Sequence, residues 1–349
     1  MNSAPTDPND RTLVITGGCG FIGLNLLYHL ASRGRFRRYV IVDNLSVGTV
    51  ADLECVLGEL GPYKAEDPNK YTLEACTVDL HCHDIRTREG LQEIVAGSSA
   101  VVHLAAQTGV IPSLEDPAFD MEQNVAGTLN LLEACRLAGT PRFVLASSSA
   151  PLGEQEPPID ETKVPKPLSP YGASKLAAEG YCSAYAGSFG LETIALRFSN
   201  VYGPRSTYKG SVVAKFIKNI LSGIPLTIYG SGGQTRDFIY VEDLCDAIDL
   251  ALSAADPRAF GSVFQIATFR ETTVNELAEM LKSAAEKAGL GPVELLYEDE
   301  RAGEIIRSFS DISRAKDLLG YRPMYDLTEG LLKTWDWFLA RRENFPPKT

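Results

Sequence analysis

Short apolar runs rich in β-branched residues alternate with stretches of helical period through the N-terminal half of the chain. The runs at 12–15, 39–42, 100–106, 142–146 and 192–198 carry apolar residues on both faces, the pattern of parallel strands covered on both sides. Another strand, third in chain order, is expected within 73–78, followed by irregular chain to Asp84-Ile85, and the polar segment 61–70 reads as a loop insertion. Helical patterns fill the intervals at 51–60, 88–95, from Asp116-Pro117 to Ala138-Gly139, and onward from Tyr171. Asp116 and Ser169 are side-chain caps, each followed by a proline in the first turn. Strands and helices in this alternation predict an α/β fold, a doubly wound (Rossmann) parallel sheet.

From Asn200 the rhythm shortens to a helix at 212–222, a strand at 226–229, the glycine turn at 230–233 and a mainly helical remainder at 273–288 and 326–341. A smaller C-terminal substrate-binding domain is therefore expected. The division falls at residues 1–199 plus about 239–268 for the first domain and about 200–238 plus 269–349 for the second. The proline-rich stretch from Pro151 to Pro170 is too stiff for a core element and suits a loop over a site.

The first strand runs into Gly17, Gly20 and Gly23 and then into a helix. Glycines at such a junction leave the first helical N–H groups facing outward, a site for a phosphate or pyrophosphate. The G-x-x-G-x-x-G spacing departs from G-x-G-x-x-G, but Asp43 ends the second strand twenty residues after Gly23, where an acid binds the adenosine ribose diol. An acid there repels a 2′-phosphate, so the cofactor expected is NAD rather than NADP.

A formal net charge of −12 on 349 residues, without a basic patch, argues against a nucleic-acid partner. No apolar run approaches the ~18 residues of a membrane span, and the N-terminal segment lacks a signal-peptide pattern, so a cytoplasmic location is expected. Seven cysteines without a C-x-x-C pair fit free thiols in a reducing compartment. Cys76 with His81-Cys82-His83-Asp84 is the only cluster with metal-ligand residue types. An irregular third strand explains it better, and no metal is expected.

The fifth strand delivers Ser147, Ser148 and Ser149 to its carboxyl end, where open α/β sheets bind ligands. Tyr171 and Lys175 lie one turn apart on the next helix. An ammonium beside a phenol favours the phenolate and lowers its pKa, which makes Tyr171 a general base, with Ser148 sharing the hydrogen bond to the reacting hydroxyl. Such a site oxidises an alcohol, with NAD taking the hydride.

With these residues the chain resembles the extended short-chain dehydrogenase/reductase family, and within it the nucleoside-diphosphate-sugar 4-epimerases. The likeness covers nearly the whole length: Thr16 to Gly23, Asp43-Asn44, Asp84-Ile85-Arg86, His103 to Gln107, Asn124 to Thr128, Ser169 to Lys175, Arg197 to Pro204 and Arg236 to Val241. It implies transient oxidation at C4, rotation of the 4-keto sugar and re-reduction. Gly17, Gly20, Phe21, Ile22, Gly23, Asp43, Asn44, Leu104, Ala105, Ala106, Gln107, Asn124 and Lys175 would hold NAD, with Asp84 and Ile85 on adenine. Tyr171, Lys175 and Ser148 would be catalytic. Ser147, Ser148, Ser149, Tyr171, Asn200, Ser211, Val212, Thr227, Tyr229, Arg236, Arg301 and Glu304 would bind substrate, the two arginines on the diphosphate and Thr227 and Tyr229 at the nucleobase. The resemblance also implies a homodimer formed through the helices at 117–138 and 171–186.

Pro151-Leu152-Gly153 stands where the family commonly has Val-Tyr-Gly, and counting back sets Ala150 where its dehydratases and decarboxylases carry Glu. Ala150 and the serine hydroxyls favour UDP-glucuronate going to UDP-galacturonate, because a 4-keto uronate keeps its carboxylate only where donors hold it and no acid assists its loss. UDP-glucose and UDP-N-acetylglucosamine are the alternative UDP-sugar substrates. A dehydratase, decarboxylase or reductase, and a non-catalytic NAD-dependent sensor or scaffold, are the other readings weighed.

Overall fold

The computed structural model describes residues 11–67, 69–300 and 305–345. Arg301 and Glu304, expected at the substrate, lie outside these residues.

The strands are β1 (Thr12–Thr16), β2 (Arg38–Asp43), β3 (Tyr63–Asp67), β4 (Lys70–Leu73), β5 (Thr77–Cys82), β6 (Ala100–His103), β7 (Arg142–Ser148) and β8 (Glu192–Phe198). They are followed by β9 (Asn200–Tyr202), β10 (Leu226–Tyr229), β11 (Thr235–Arg236), β12 (Phe238–Tyr240), β13 (Ser262–Ile266), β14 (Thr272–Thr273) and β15 (Leu295–Glu298). Nine form one sheet in the order β13-β8-β7-β6-β1-β2-β5-β4-β3. The order reverses between β1 and β6, which are paired in parallel from Leu13 opposite Ala100 to Thr16 opposite His103. A ligand crevice opens at that reversal, outside the carboxyl ends of the strands.

The helices in the first part are α1 (Phe21–Ser32), α2 (Val50–Leu60), α3 (Leu91–Val95), α4 (Val110–Glu115), α5 (Pro117–Met121), α6 (Gly127–Ala138) and α7 (Pro170–Phe189). Later come α8 (Val212–Leu221), α9 (Val241–Ser253), α10 (Val274–Lys287), α11 (Ser313–Leu319) and α12 (Leu327–Leu339). Two hydrophobic clusters cover the two sheet faces. One joins Leu13, Ile15 and Ile41 to α1, α9 and α10 residues; the other joins Val14, Val40 and Val101 to α3, α6 and α7 residues. The alternation of inward residues along each strand therefore divides the core. In the C-terminal part β10 pairs with β15 in parallel, β9 with β12 in parallel and β11 with β14 antiparallel.

Three sequence expectations are corrected. Segment 61–70 is not a loop but supplies β3, which forms an antiparallel hairpin with β4 that continues the sheet beyond β5. The polar solvent face of this edge hid it, while Tyr71 and Leu73 are buried and Tyr63 packs on Tyr71 with ring centroids 5.7 Å apart. The strand expected within 73–78 instead spans the end of β4, the turn at 74–76 and the start of β5, and β5 continues to Cys82 where irregular chain was expected. The helix expected to run unbroken from Asp116 is interrupted by a π-turn at Glu122–Ala126, a distortion frequent at functional sites.

Candidate active site

The glycine turn closes between β1 and β2, with Gly17 N–H donating to Val42 O at 2.7 Å and Gly20 N–H to Gly17 O at 3.1 Å. Gly17 has φ +66°, and a Cβ there would lie 2.7 Å from Ala105 N; at Gly23 one would lie 2.5 Å from Gly17 O. Neither position admits a side chain without moving backbone. No side chain caps Gly20 at the start of α1, so the first-turn N–H groups at Phe21, Ile22 and Gly23 lack a side-chain acceptor. Asp43 is buried, its Oδ2 accepting from Cys19 N–H and its Oδ1 from Leu45 N–H, both at 2.9 Å. Burial raises its pKa and these bonds oppose the rise. Each oxygen keeps a lone pair for a diol. The cradle and the acid fit a dinucleotide.

Around the cradle, Asp84 is held by the Arg86 guanidinium at 2.9 Å and by Asn44 Nδ2 at 3.2 Å, and the arginine holds its carboxyl well below the usual range. Ile85 packs where a Cβ on Gly127 would fall. The chain leaving β6 carries Leu104, Ala105, Ala106 and Gln107; Leu104 N–H donates to Thr16 O at 3.1 Å. Gln107 N–H donates to Asn124 Oδ1 at 2.9 Å, and Asn124 Nδ2 donates back to Gln107 O at 3.0 Å. Beneath them His103 bridges Thr16 Oγ1 at 2.7 Å and Thr128 Oγ1 at 3.0 Å. Burial drops its pKa to about 3, so it is neutral and ties β1, β6 and α6 together.

The catalytic candidates converge. Ser148 ends β7 and its hydroxyl meets the Tyr171 phenol while also accepting Ala150 N–H at 3.2 Å. The Pro151-Leu152-Gly153 departure forms a single 3₁₀ turn at Ala150–Leu152, with Pro151 and Leu152 buried, and Ser148, with its phenol contact, is the hydroxyl facing Tyr171. Lys175 Nζ is buried and donates to Ala146 O at 3.0 Å. Desolvation lowers its pKa to about 8, opposed by the charges of Asp120 and Glu179 and assisted by that of Lys209.

Two details differ from the expectation. Burial raises the Tyr171 pKa, with the Ser148 hydrogen bond opposing and Asp120 adding to the rise, so the net shift is upward rather than the lowering expected. Ser147 faces inward, its hydroxyl donating to Glu179 Oε1 at 2.5 Å, and is committed to a buried ion pair rather than to the cleft. Ser149 caps the 3₁₀ turn through its carbonyl, which accepts Leu152 N–H at 3.1 Å.

On the substrate side, Asn200 opens β9, and Ser211 precedes α8 with its buried Oγ unpartnered among the described residues. Val212 is the first residue of α8. Thr227 and Tyr229 lie on β10, paired opposite Leu296 and Glu298. Arg236 Nη1 donates to Thr235 O and Ile305 O, both at 2.7 Å, which aims the guanidinium along β11. Sequence reasoning missed Asp120, Glu179 and Lys209. The first two had a usable signal: Asp120 is one turn before Asn124, and Glu179 one turn after Lys175. Segment 77–83 forms β5 and its exit, where His83 Nε2 meets Thr87 O at 2.9 Å, and among the described residues no three His, Cys, Asp or Glu side chains cluster as metal ligands.

Residues 13–267 match the NAD dependent epimerase/dehydratase family. The chain belongs to that family. It is an enzyme of that group and NAD is its cofactor. Similar proteins include the UDP-glucose 4-epimerase of Mycolicibacterium smegmatis, 35% identical over 94% of this chain and 98% of that one. The UDP-glucuronate 4-epimerase of Thermodesulfobacterium geofontis is 32% identical over 93% of this chain and 95% of its own length. A solved UDP-N-acetylglucosamine 4-epimerase from Methanobrevibacter ruminantium M1 superposes with a TM-score of 0.82 at 32% identity, covering 95% of this chain and 99% of that one. The last was solved with UDP-N-acetylmuramic acid. The family member described here thus has relatives named for three different sugars.

Proposed function

We propose that this protein is a UDP-sugar 4-epimerase that takes UDP-glucuronate to UDP-galacturonate. The observation that carries the epimerase reading is the set Ser148, Tyr171 and Lys175 at the carboxyl end of β7, beside the glycine cradle, with no acidic side chain at position 150. NAD, when bound, supplies a two-electron acceptor that also returns what it takes. Tyr171 accepts the proton of the 4-hydroxyl and gives it back, Ser148 orients that hydroxyl, and Lys175 supplies the neighbouring positive charge. Arg236, with Arg301, holds the diphosphate while the sugar turns. Residues 1–199 with about 239–268 carry the cofactor, and about 200–238 with 269–349 carry the nucleotide sugar.

For the uronate, Lys209 adds support that the sequence did not. It stands between β9 and α8, partly buried, with no anionic partner among the described residues, and burial lowers its pKa. Its charge reaches Lys175 at the oxidation site. On a pyranose the group next to the reacting carbon is C5 with its C6 substituent, whereas the diphosphate is on C1 across the ring. An unpaired ammonium at this end therefore suits a C6 carboxylate. The test is incubation with UDP-glucuronate, UDP-glucose and UDP-N-acetylglucosamine, without added cofactor, followed by carbon NMR. UDP-galacturonate is expected, with Lys209→Gln raising KM for the uronate ~10-fold or more. Turnover of UDP-glucose with UDP-glucuronate untouched, or release of a pentose nucleotide, overturns the substrate assignment.

The same chain is proposed to act as a homodimer. Met121 at the end of α5, Leu137 on α6 and Tyr181 on α7 are exposed apolar or aromatic side chains within the helices expected to meet, and Val110, Ile111 and Leu114 on α4 and Phe189 at the end of α7, outside those ranges, are exposed as well. Light scattering at micromolar concentration is expected to give twice the 37.9 kDa chain mass, and a monomer speaks against it. Among the described residues no helix is long and apolar enough to cross a membrane.

A further inference from the structure

Asp120 is a fully buried acid that the proposed chemistry leaves without a task. It sits on α5, immediately before the π-turn, and its Oδ2 accepts from Asn124 Nδ2 at 3.0 Å. Its Oδ1 is buried and has no hydrogen-bond partner. The Asn124 amide also faces Gln107 O at 3.0 Å and Ser174 Oγ at 3.1 Å, so its two protons meet three acceptors. Ser174 precedes Lys175 and its hydroxyl donates to Tyr171 O at 3.1 Å; burial raises the Asp120 pKa, and Ser174 and the Lys175 charge oppose that rise. Lys175 Nζ has three protons and directs one of them to Ala146 O. A fully buried carboxylate with one oxygen unsatisfied is costly unless a positive charge answers it.

We infer that Asp120 is a positioning residue: the buried counter-charge that keeps the Lys175 ammonium charged beside Tyr171 and fixes Asn124 and Ser174 around it. The inference rests on the proposed roles of Tyr171 and Lys175. The two charges interact without a direct hydrogen bond, and a water between Oδ1 and Nζ would complete both sets of contacts. Their surroundings hold Tyr171, Glu179 and Cys182 on α7, Lys209 on the loop after β9, and neutral His103 on β6. Glu179 also stabilises the ammonium, but it is engaged by Arg197 at 2.8 and 2.7 Å, whereas Asp120 meets no arginine among the described residues. Asp120 is accordingly the main uncompensated negative charge on this lysine.

The sign of its removal follows. Without the carboxylate the ammonium is less stable, so Lys175 loses its proton at lower pH; the phenol, relieved of a like charge, also ionises at lower pH. In Asp120→Asn, which keeps an oxygen for Asn124, both limbs of the pH profile of kcat are expected to move down together, by at least ~1 pH unit. Looser packing alone lowers kcat at every pH and leaves the limbs in place, which overturns the inference. Should the amide variant not fold, Asp120→Ser retains an acceptor in a smaller side chain and is expected to give the same shift. A carbon-13 titration of lysine Cε, with the Lys175 signal identified by its loss in Lys175→Arg, reads the lysine without turnover. It therefore separates failure of this inference from failure of the epimerase reading: an unmoved Lys175 titration refutes the counter-charge whatever the substrate.

Discussion

Tyr171→Phe is expected to lower kcat by ~10² or more while KM for the nucleotide sugar changes little. The substitution removes one oxygen from a half-buried ring and leaves Ser148, Lys175 and the cradle in place. On the proposed mechanism, what is lost is the group that takes the proton from the 4-hydroxyl and returns it to the same oxygen once hydride has come back to the opposite face of C4. The structure adds to the reason for the size of the effect. Burial raises the phenol pKa, so the phenol is protonated at neutral pH, and the charge of Lys175 one helical turn away favours its ionisation. With the phenol raised above its ordinary value and Lys175 pushed down to about 8, the active phenolate–ammonium form is a minor arrangement of the pair's protons, so kcat is expected to follow a bell-shaped pH profile whose limbs belong to the pair rather than to either residue. Steady-state kinetics across pH on the wild type and the phenylalanine variant checks both parts. Retention of more than a tenth of kcat in the variant assigns the base elsewhere.

The strands and the glycine turn were legible in the sequence because they follow local rules. A short run apolar on both faces, alternating with helical stretches, fits a strand inside a parallel sheet, and Gly17 and Gly23 stand where any Cβ meets backbone. The Tyr171–Lys175 spacing likewise fixes a shared helix face without reference to the rest of the chain. The hairpin of β3 and β4 was not legible, since an edge strand keeps a polar outer face and its pairing partner is supplied by tertiary structure. The same holds for the serines: three consecutive hydroxyls look equivalent in sequence, yet strand alternation and the 3₁₀ turn send Ser147 into the interior and Ser148 to the phenol. Lys209 gave no local signal at all, because its significance lies in what does not surround it. Arg236 was reached only through family resemblance; nothing in its own neighbourhood of sequence distinguishes it from a surface charge.

Glu179→Ala is expected to destabilise the fold by ~3–5 kcal/mol, a large part of the ~5–15 kcal/mol that holds a typical domain together. Glu179 on α7 receives Arg197 Nε at 2.8 Å and Nη2 at 2.7 Å, a two-pronged pair whose side chains are 3% and 5% exposed. Ser147 donates to the same carboxylate, so one acid joins β7, β8 and α7 one helical turn from Lys175. Truncating it strands a guanidinium in the core, and Arg197 Nη1 already lacks a partner there, so nothing nearby can take up the freed donors. The pair itself, however, adds little over apolar packing, because desolvating two charges costs about as much as their attraction returns. The double substitution Glu179→Met with Arg197→Met is therefore expected to be markedly more stable than Glu179→Ala, recovering most of the loss. Urea unfolding of the wild type, Glu179→Ala, Glu179→Met, Arg197→Met and the double variant measures the coupling. Additive losses, with the double variant least stable of all, would show that the carboxylate and the guanidinium act on the fold independently.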